Sequence, residues 1–284
     1  EFIELLVSWG LDGLEAYYPE MTPDETSRCL GLAQKMGLLV TGGSDYHGPN
    51  FGHGCGPGGR KLYVPYQCLE ELKRAFFRRN RTLVIMYGLP ASGKSFVTEA
   101  LAKKYYFSHF NTDKIRQEIY KGREAAGYTK EIKYSREASI LVYSKMWEEA
   151  CKQLNKGKPV IVDGTFLLKE ARQKFYFLAS KLNGTCAVIK CLCPEEVIKD
   201  RMCRRAMDPD PYSEADFDIY LKMKENVENG PPHIFGDPFS DCFSGKKNSP
   251  LEFHTNVWEK NVNNEESIDL LANELIISIL RSGC

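Results

Sequence analysis

Residues 82–95 read TLVIMYGLPASGKS: an unbroken apolar run, a glycine, four residues, then Gly-Lys-Ser. Few structures suit that order. An apolar run without alternation is a strand buried on both faces. A glycine-rich turn that leads into a helix lets backbone N–H groups converge on an anion, and the helix N-terminus adds partial positive charge. Gly88-x-x-x-x-Gly93-Lys94-Ser95 meets the whole Walker A spacing between a strand and a helix, the context that motif needs. In such a loop the lysine reaches the β- and γ-phosphates and the following hydroxyl meets Mg²⁺. Nucleotide binding is therefore expected at Gly88, Leu89, Pro90, Ala91, Ser92, Gly93, Lys94, Ser95 and Phe96.

The chain around this loop repeats the strand–helix alternation. FSHFN, PVIVD and TCAVIKCLC read as further strands, each followed by a helical stretch, and LEFHTNV and SIDLLANELIISIL as a last strand and helix. Residues 129–155 are periodic at helical spacing, and Gly157 stops them. Apolar strands joined by helices predict a parallel sheet with helices on both faces. Ahead of it, DGLEAYY and LLVTGG are short strand-like runs. Between them Thr22, Pro23 and Glu25 write a capping box and first turn, and Gly37 a stop. QCLEELKRAFFRRN is amphipathic and closes this first unit, so the division is expected as 1–79 and 80–284. The 284 residues suit two domains.

Composition excludes some classes. Lys plus Arg and Asp plus Glu both number 38, so no basic surface marks a dedicated nucleic-acid binder, although a local groove remains open. The ten cysteines are scattered without a C-x-x-C pair, which reads as reduced thiols in a cytoplasmic protein. No apolar stretch approaches the length of a membrane span or a signal peptide. The chain opens on Glu1 and its first methionine is Met21, so a piece of a longer product is expected.

Among nucleotide enzymes, a GTPase carries N-K-x-D, which is absent, and motor ATPases carry paired acids after a second strand, where VIVDGTF offers Asp163 alone. A small kinase is left as the leading class. Asp113 falls where the FSHFN strand gives way to a helix, the carboxyl end at which open α/β sheets build sites. A carboxylate there can accept a hydroxyl proton, or it can simply cap its helix, as can Asn111 or Thr112. Arg116 shares its helical face. In VIKDRMCRRAM, Arg201 and either Arg204 or Arg205 lie on one face, suited to closing over a transferring phosphate or to plain solvation. Ser213 and Asp216 suggest a fresh helix start beyond them.

GLPASGKS, NTDKIR, the stretch from YSREAS to KFYFLA, CPEEVIKDRMCRR and YSEADFDIYLKM together resemble the AAA-type predicted P-loop kinases of the zeta-toxin and polynucleotide-kinase-like group, over about residues 81–229. That resemblance implies Asp113 as base on the acceptor hydroxyl and Arg116 on an acceptor-side phosphate. It places Asp163 on Mg²⁺ or its water, beside the Ser95 hydroxyl expected from the loop motif, and Arg172 along the acceptor side; the shared helical face, not the resemblance, puts Arg201 and Arg205 on the transferring phosphate. Glu137 gains no role from it. The implied reaction is transfer of the γ-phosphate of ATP to a hydroxyl of a small molecule, a nucleotide or a nucleic-acid end. The group does not fix the acceptor.

GLDGLEAYYPEMTPDETSRCLGLAQKMGLLVTGGSDYHG resembles the end of a PHP (polymerase and histidinol phosphatase) domain, a metal-dependent phosphoesterase built as a (β/α) barrel, so a partial barrel is expected over 1–79. The resemblance makes Asp45 and His47 ligands of Zn²⁺ or Mn²⁺, with His53 and Cys55 as loop residues that could extend the site. Tyr18 stands where relatives carry histidine, and the opening H-x-H motif is missing, so the metal site is expected to be incomplete and inactive here. Two further readings stay open: a PHP phosphoesterase with an accessory nucleotide module, and a nucleotide switch that transfers nothing.

Overall fold

The structure, a computed structural model, describes residues 2–44, 62–121, 130–167, 169–207, 217–228, 251–256 and 265–282. It divides into two compact units, residues 1–75 and 76–284. Asp45, His47, His53, Cys55, Ser213 and Asp216 lie outside the described residues.

The first unit carries α1 (Phe2–Ser8), β1 (Gly13–Tyr17), α2 (Pro23–Met36) and β2 (Leu39–Gly42), and α3 (Tyr66–Arg79) begins in it. β1 and β2 pair in parallel, so α2 is the crossover of a β-α-β unit. Its start is the one written in the sequence. The Thr22 side chain accepts from the Glu25 N–H at 3.3 Å, and the Glu25 carboxylate accepts from the Thr22 N–H at 2.8 Å. Hydrogen bonds from the Thr22 N–H and hydroxyl to the Glu25 carboxylate hold that carboxyl below its usual value. Gly37 closes the helix at φ 65°, a left-handed conformation that a Cβ would strain.

The second unit continues with β3 (Leu83–Tyr87), α4 (Lys94–Tyr105), β4 (Ser108–Asn111), α5 (Thr112–Tyr120), α6 (Lys130–Lys133), α7 (Arg136–Asn155), β5 (Val160–Asp163), α8 (Lys169–Lys181), β6 (Cys186–Leu192), α9 (Glu195–Ala206), α10 (Phe217–Glu228), β7 (Leu251–Asn256) and α11 (Glu265–Ser282). Its five strands run in the order β4-β5-β3-β6-β7, every pair parallel. Side chains alternate across β3. Val84 and Met86 pack with Val97, Leu101 and Tyr105 of α4 and Leu271, Ala272 and Leu275 of α11. Leu83 and Ile85 pack on the other face with Val142, Met146 and Leu154 of α7 and Phe175 and Leu178 of α8. Helices therefore cover both faces, which is why the strands read as continuous apolar runs. Asp269 fastens α11 to α4: it takes the Tyr105 hydroxyl and, at 2.9 Å, the Lys104 ammonium. No helix among the described residues is long and apolar enough to cross a membrane.

Candidate active site

The site gathers at the carboxyl ends of β4, β5 and β3, three neighbours in the sheet. After β3 the chain turns through Gly88 at φ 149°, Ala91 at 60° and Gly93 at 94° before α4 begins. This succession of positive φ values folds the backbone round a concavity, as an anion-binding nest does. Gly88 has no room for a side chain, since a Cβ would stand 2.5 Å from the Cys191 carbonyl oxygen. Gly93 caps α4 without offering a side-chain acceptor to its first turn. Among the described residues the buried Ser92 hydroxyl also has no hydrogen-bond partner. Phosphate oxygens are the acceptors such a loop lacks.

Lys94 lies buried beneath this loop and donates to the Leu89 carbonyl at 2.8 Å. Burial lowers its pKa, and the charge of Arg205 acts in the same direction. Asp163, Cys191 and Asp113 oppose the shift without reversing it. A bound phosphate would supply the missing counter-charge. Ser95 is exposed and donates to Asp163 at 2.7 Å. Phe96 points outward, its side chain half exposed.

Asp163 ends β5 and is nearly fully buried. Burial alone would raise its carboxyl. The neighbouring His109 imidazole, the Lys94 ammonium and hydrogen bonds from Ser95 and Asn111 outweigh burial and hold it below the usual carboxylate range. The His109 Nε2 atom stands 3.7 Å from Asp163 Oδ2, an ion-pair distance and too long for a hydrogen bond. Asn111 is closer, donating at 2.8 Å. Asn111 carries a second duty, because its side-chain oxygen accepts the N–H groups of Asp113 at 2.8 Å and Lys114 at 3.1 Å. Of the candidate caps of α5, Asn111 is the one used.

Asp113 is thereby released from capping. Its carboxylate accepts from Arg116 at 2.9 Å, one helical turn on. Arg116 is itself held on three sides: its Nε donates to the Lys133 carbonyl at 3.1 Å, and its guanidinium lies 4.4 Å from the centre of the Tyr134 ring. Tyr143 of α7 joins this wall. Its hydroxyl accepts the Phe166 N–H at 3.3 Å, and burial raises its pKa.

The arginines of α9 separate. Arg201 donates to the Ala91 carbonyl at 3.0 Å, so it already touches the phosphate loop. Arg204 points away and pairs with Asp200 at 3.0 Å on its own helix. Arg205 is exposed and close enough to act on the charge of Lys94. Ile198 and Met202 of α9 and Tyr220 of α10 pack on Ala91, seating both helices on the loop. Arg172 of α8 binds the Phe166 and Leu167 carbonyls. Glu137 is exposed in the first turn of α7.

Sequence reasoning overlooked Asn111 as a partner of Asp163, and also His109, Cys191 and Tyr143. The one available signal was that Asn111 and His109 sit at the end of a strand expected to lie beside the site. No group of three or more His, Cys, Asp or Glu side chains that could hold a metal occurs among the described residues. The Ser95 hydroxyl with the ionised Asp163 carboxylate is instead a pair of hard oxygen donors. Such a pair fits Mg²⁺, which keeps several waters and takes its other oxygens from phosphates.

An AAA domain family, AAA_33, matches residues 83–229. The curated phosphoribosyl 1,2-cyclic phosphate 1,2-diphosphodiesterase of Eggerthella lenta is 49% identical over 43 residues, 15% of this chain. The chain thus spans 16% of the length of that relative. Among solved structures, Chaetomium thermophilum Kti12 in complex with ADP-AlF3 is 14% identical, with a TM-score of 0.46 over 69% of this chain and 98% of its own. A gluconokinase from Sinorhizobium meliloti is 16% identical, with a TM-score of 0.41 over 70% of this chain and 97% of its own.

Proposed function

The chain belongs to the AAA domain family AAA_33, matched over more than half its length, and from that footing we propose that it is an ATP-dependent phosphotransferase acting on a hydroxyl group. One observation carries this reading: a nucleotide loop with its lysine, a carboxylate–hydroxyl pair and a carboxylate freed from helix capping converge at three adjacent strand ends. A nucleotide switch needs the first two and has no use for the third.

In this reading the loop N–H groups and the Ser92 hydroxyl hold the β- and γ-phosphates. Lys94 leaves the Leu89 carbonyl for a phosphate oxygen, and Arg201 and Arg205 neutralise the charge that develops on the transferred group. Ser95 and Asp163 would hold Mg²⁺, which would supply positive charge to offset that of the phosphates. Asp113 accepts the proton of the acceptor hydroxyl as its oxygen bonds to the γ-phosphorus. The bond from that phosphorus to the β–γ bridging oxygen breaks, and ADP leaves. Arg116 fixes the direction of the Asp113 carboxylate. The test is transfer of labelled γ-phosphate to a panel of nucleosides, sugars, aminoglycosides and 5′-hydroxyl oligonucleotides. Transfer to one acceptor class, lost in both Lys94→Ala and Asp113→Ala, is the expected result. Slow hydrolysis alone, indifferent to Asp113→Ala, refutes transfer and leaves a switch.

For residues 1–79 we infer the carboxyl-terminal part of a PHP-type phosphoesterase. The parallel β-α-β unit supports it. Asp45 and His47 are then ligands of Zn²⁺ or Mn²⁺. Calorimetric titration with Mn²⁺ tests them: weak binding, lost in His47→Ala, is expected, and an unchanged isotherm in that variant removes the assignment.

A further inference from the structure

Tyr87, the last residue of β3, stands opposite Lys190 of β6 in the parallel register. Alternation sets both on the face of α7 and α8, the side away from α4. The Lys190 ammonium lies 5.5 Å from the centre of the Tyr87 ring, and the Arg172 guanidinium 4.7 Å from the same centre. Both cations are half-buried. Arg172 engages one nitrogen, Nη1, on the Phe166 and Leu167 carbonyls, and its other donors are unspent among the described residues. Neither Arg172 nor Lys190 has an acidic partner among the described residues. Two cations that share one ring as neighbour, with no acidic counter-charge among the described residues, carry an electrostatic cost that an anion bound beside them would offset.

The position gives the pair its meaning. Tyr87 directly precedes Gly88, whose N–H donates to the Thr165 carbonyl at 3.2 Å. The carbonyls that hold Arg172 follow Asp163 by three and four residues in the chain. The cations therefore belong to the rim of the strand ends that carry Asp163, on the face opposite the nucleotide helix α4. Two positive charges with free donors match the charge of a phosphate monoester, and the arginine fork matches its oxygens. A carboxylate would satisfy only one of them.

We propose that Arg172 and Lys190, braced by Tyr87, bind a phosphate group on the acceptor, so that the molecule phosphorylated is itself a phosphate monoester with a free hydroxyl. This rests on the phosphotransferase reading above. The test is calorimetric titration of inorganic phosphate into the full chain saturated with Mg²⁺ and a non-hydrolysable ATP analogue, so that the nucleotide loop is filled. Binding at one site is expected, weakened at least about tenfold in Lys190→Met, the loss of one charged hydrogen bond. Nucleotide affinity in that variant is expected to be unchanged. Lys190→Gln is the second variant if Lys190→Met does not fold. No phosphate binding to the nucleotide-filled protein, or equal binding in the variant, overturns the proposal. Transfer is then measured to ribose against ribose 5-phosphate and to nucleosides against their 3′-monophosphates. Transfer to the phosphorylated members, with an acceptor KM raised by Lys190→Met and an ATP KM unmoved, is expected. Equal transfer to neutral members refutes the acceptor site and leaves the phosphotransferase standing. Lys190-dependent phosphate binding without transfer to any acceptor refutes the phosphotransferase and leaves the anion site.

Discussion

Asn111 does two jobs with one amide, and its substitution separates them. The carbonyl oxygen caps α5 through the Asp113 and Lys114 N–H groups, and the amide nitrogen donates to buried Asp163 at 2.8 Å. Removing a cap costs about 1 kcal/mol. Removing the donor from a buried, ionised acceptor costs roughly 1–3 kcal/mol. Asn111→Ala loses both, so it should destabilise the second unit by about 2–4 kcal/mol. Asn111→Ser keeps a capping oxygen but is too short to reach Asp163, so it should show only the second loss. Asn111→Asp keeps the cap and sets a carboxylate against Asp163, so its deficit should shrink in acid as one of the pair takes up a proton. Urea denaturation followed by far-ultraviolet circular dichroism measures all three. Equal midpoints for Asn111→Ala and Asn111→Ser would show that the cap adds nothing. A wild-type midpoint for Asn111→Ser would show that Asp163 has no need of the amide.

The remaining predictions concern the loop and its charges. Asp163 has a lowered carboxyl, so its contribution is present above the unfolded value near 4 and is lost as pH falls through the lower folded value. Acid titration of the wild type should therefore show the network intact at pH 5, and Asn111→Ser should unfold at a higher pH. Burial of the Lys94 ammonium disfavours its charged form, so Lys94→Met should leave the melting temperature of the nucleotide-free protein unchanged or higher. The same variant should cut phosphate transfer by about a hundredfold or more; a lower melting temperature would contradict this account of burial. Gly88→Ala brings a Cβ to 2.5 Å from the Cys191 carbonyl at φ 149° and should cost at least about 1–3 kcal/mol, read by thermal melting. Burial pushes the Cys191 thiol up to about 12, so at pH 8 iodoacetamide should label exposed Cys203 and spare Cys191 until the protein unfolds, as peptide mass spectrometry would show.

What the sequence alone determined is local. The loop from Gly88 to Ser95, the capping box at Thr22 and Glu25 and the stop at Gly37 depend on groups within eight residues of one another, so spacing reveals them. The buried strands were equally legible, because a strand covered on both faces must be apolar at every position. Only the tertiary structure decided which distant side chains meet. Asp113 and Asn111 are both suited to cap α5, and nothing local ranks them. Asn111 caps because the order β4-β5-β3 also sets its amide against Asp163, 52 residues on. Arg204 and Arg205 are neighbours in sequence, yet Arg204 turns to Asp200 while Arg205 acts on Lys94. Arg172 and Lys190 meet at Tyr87 only because β6 lies beside β3. Strand order is fixed by the burial of both sheet faces together, a property of the whole unit that no short stretch of sequence carries.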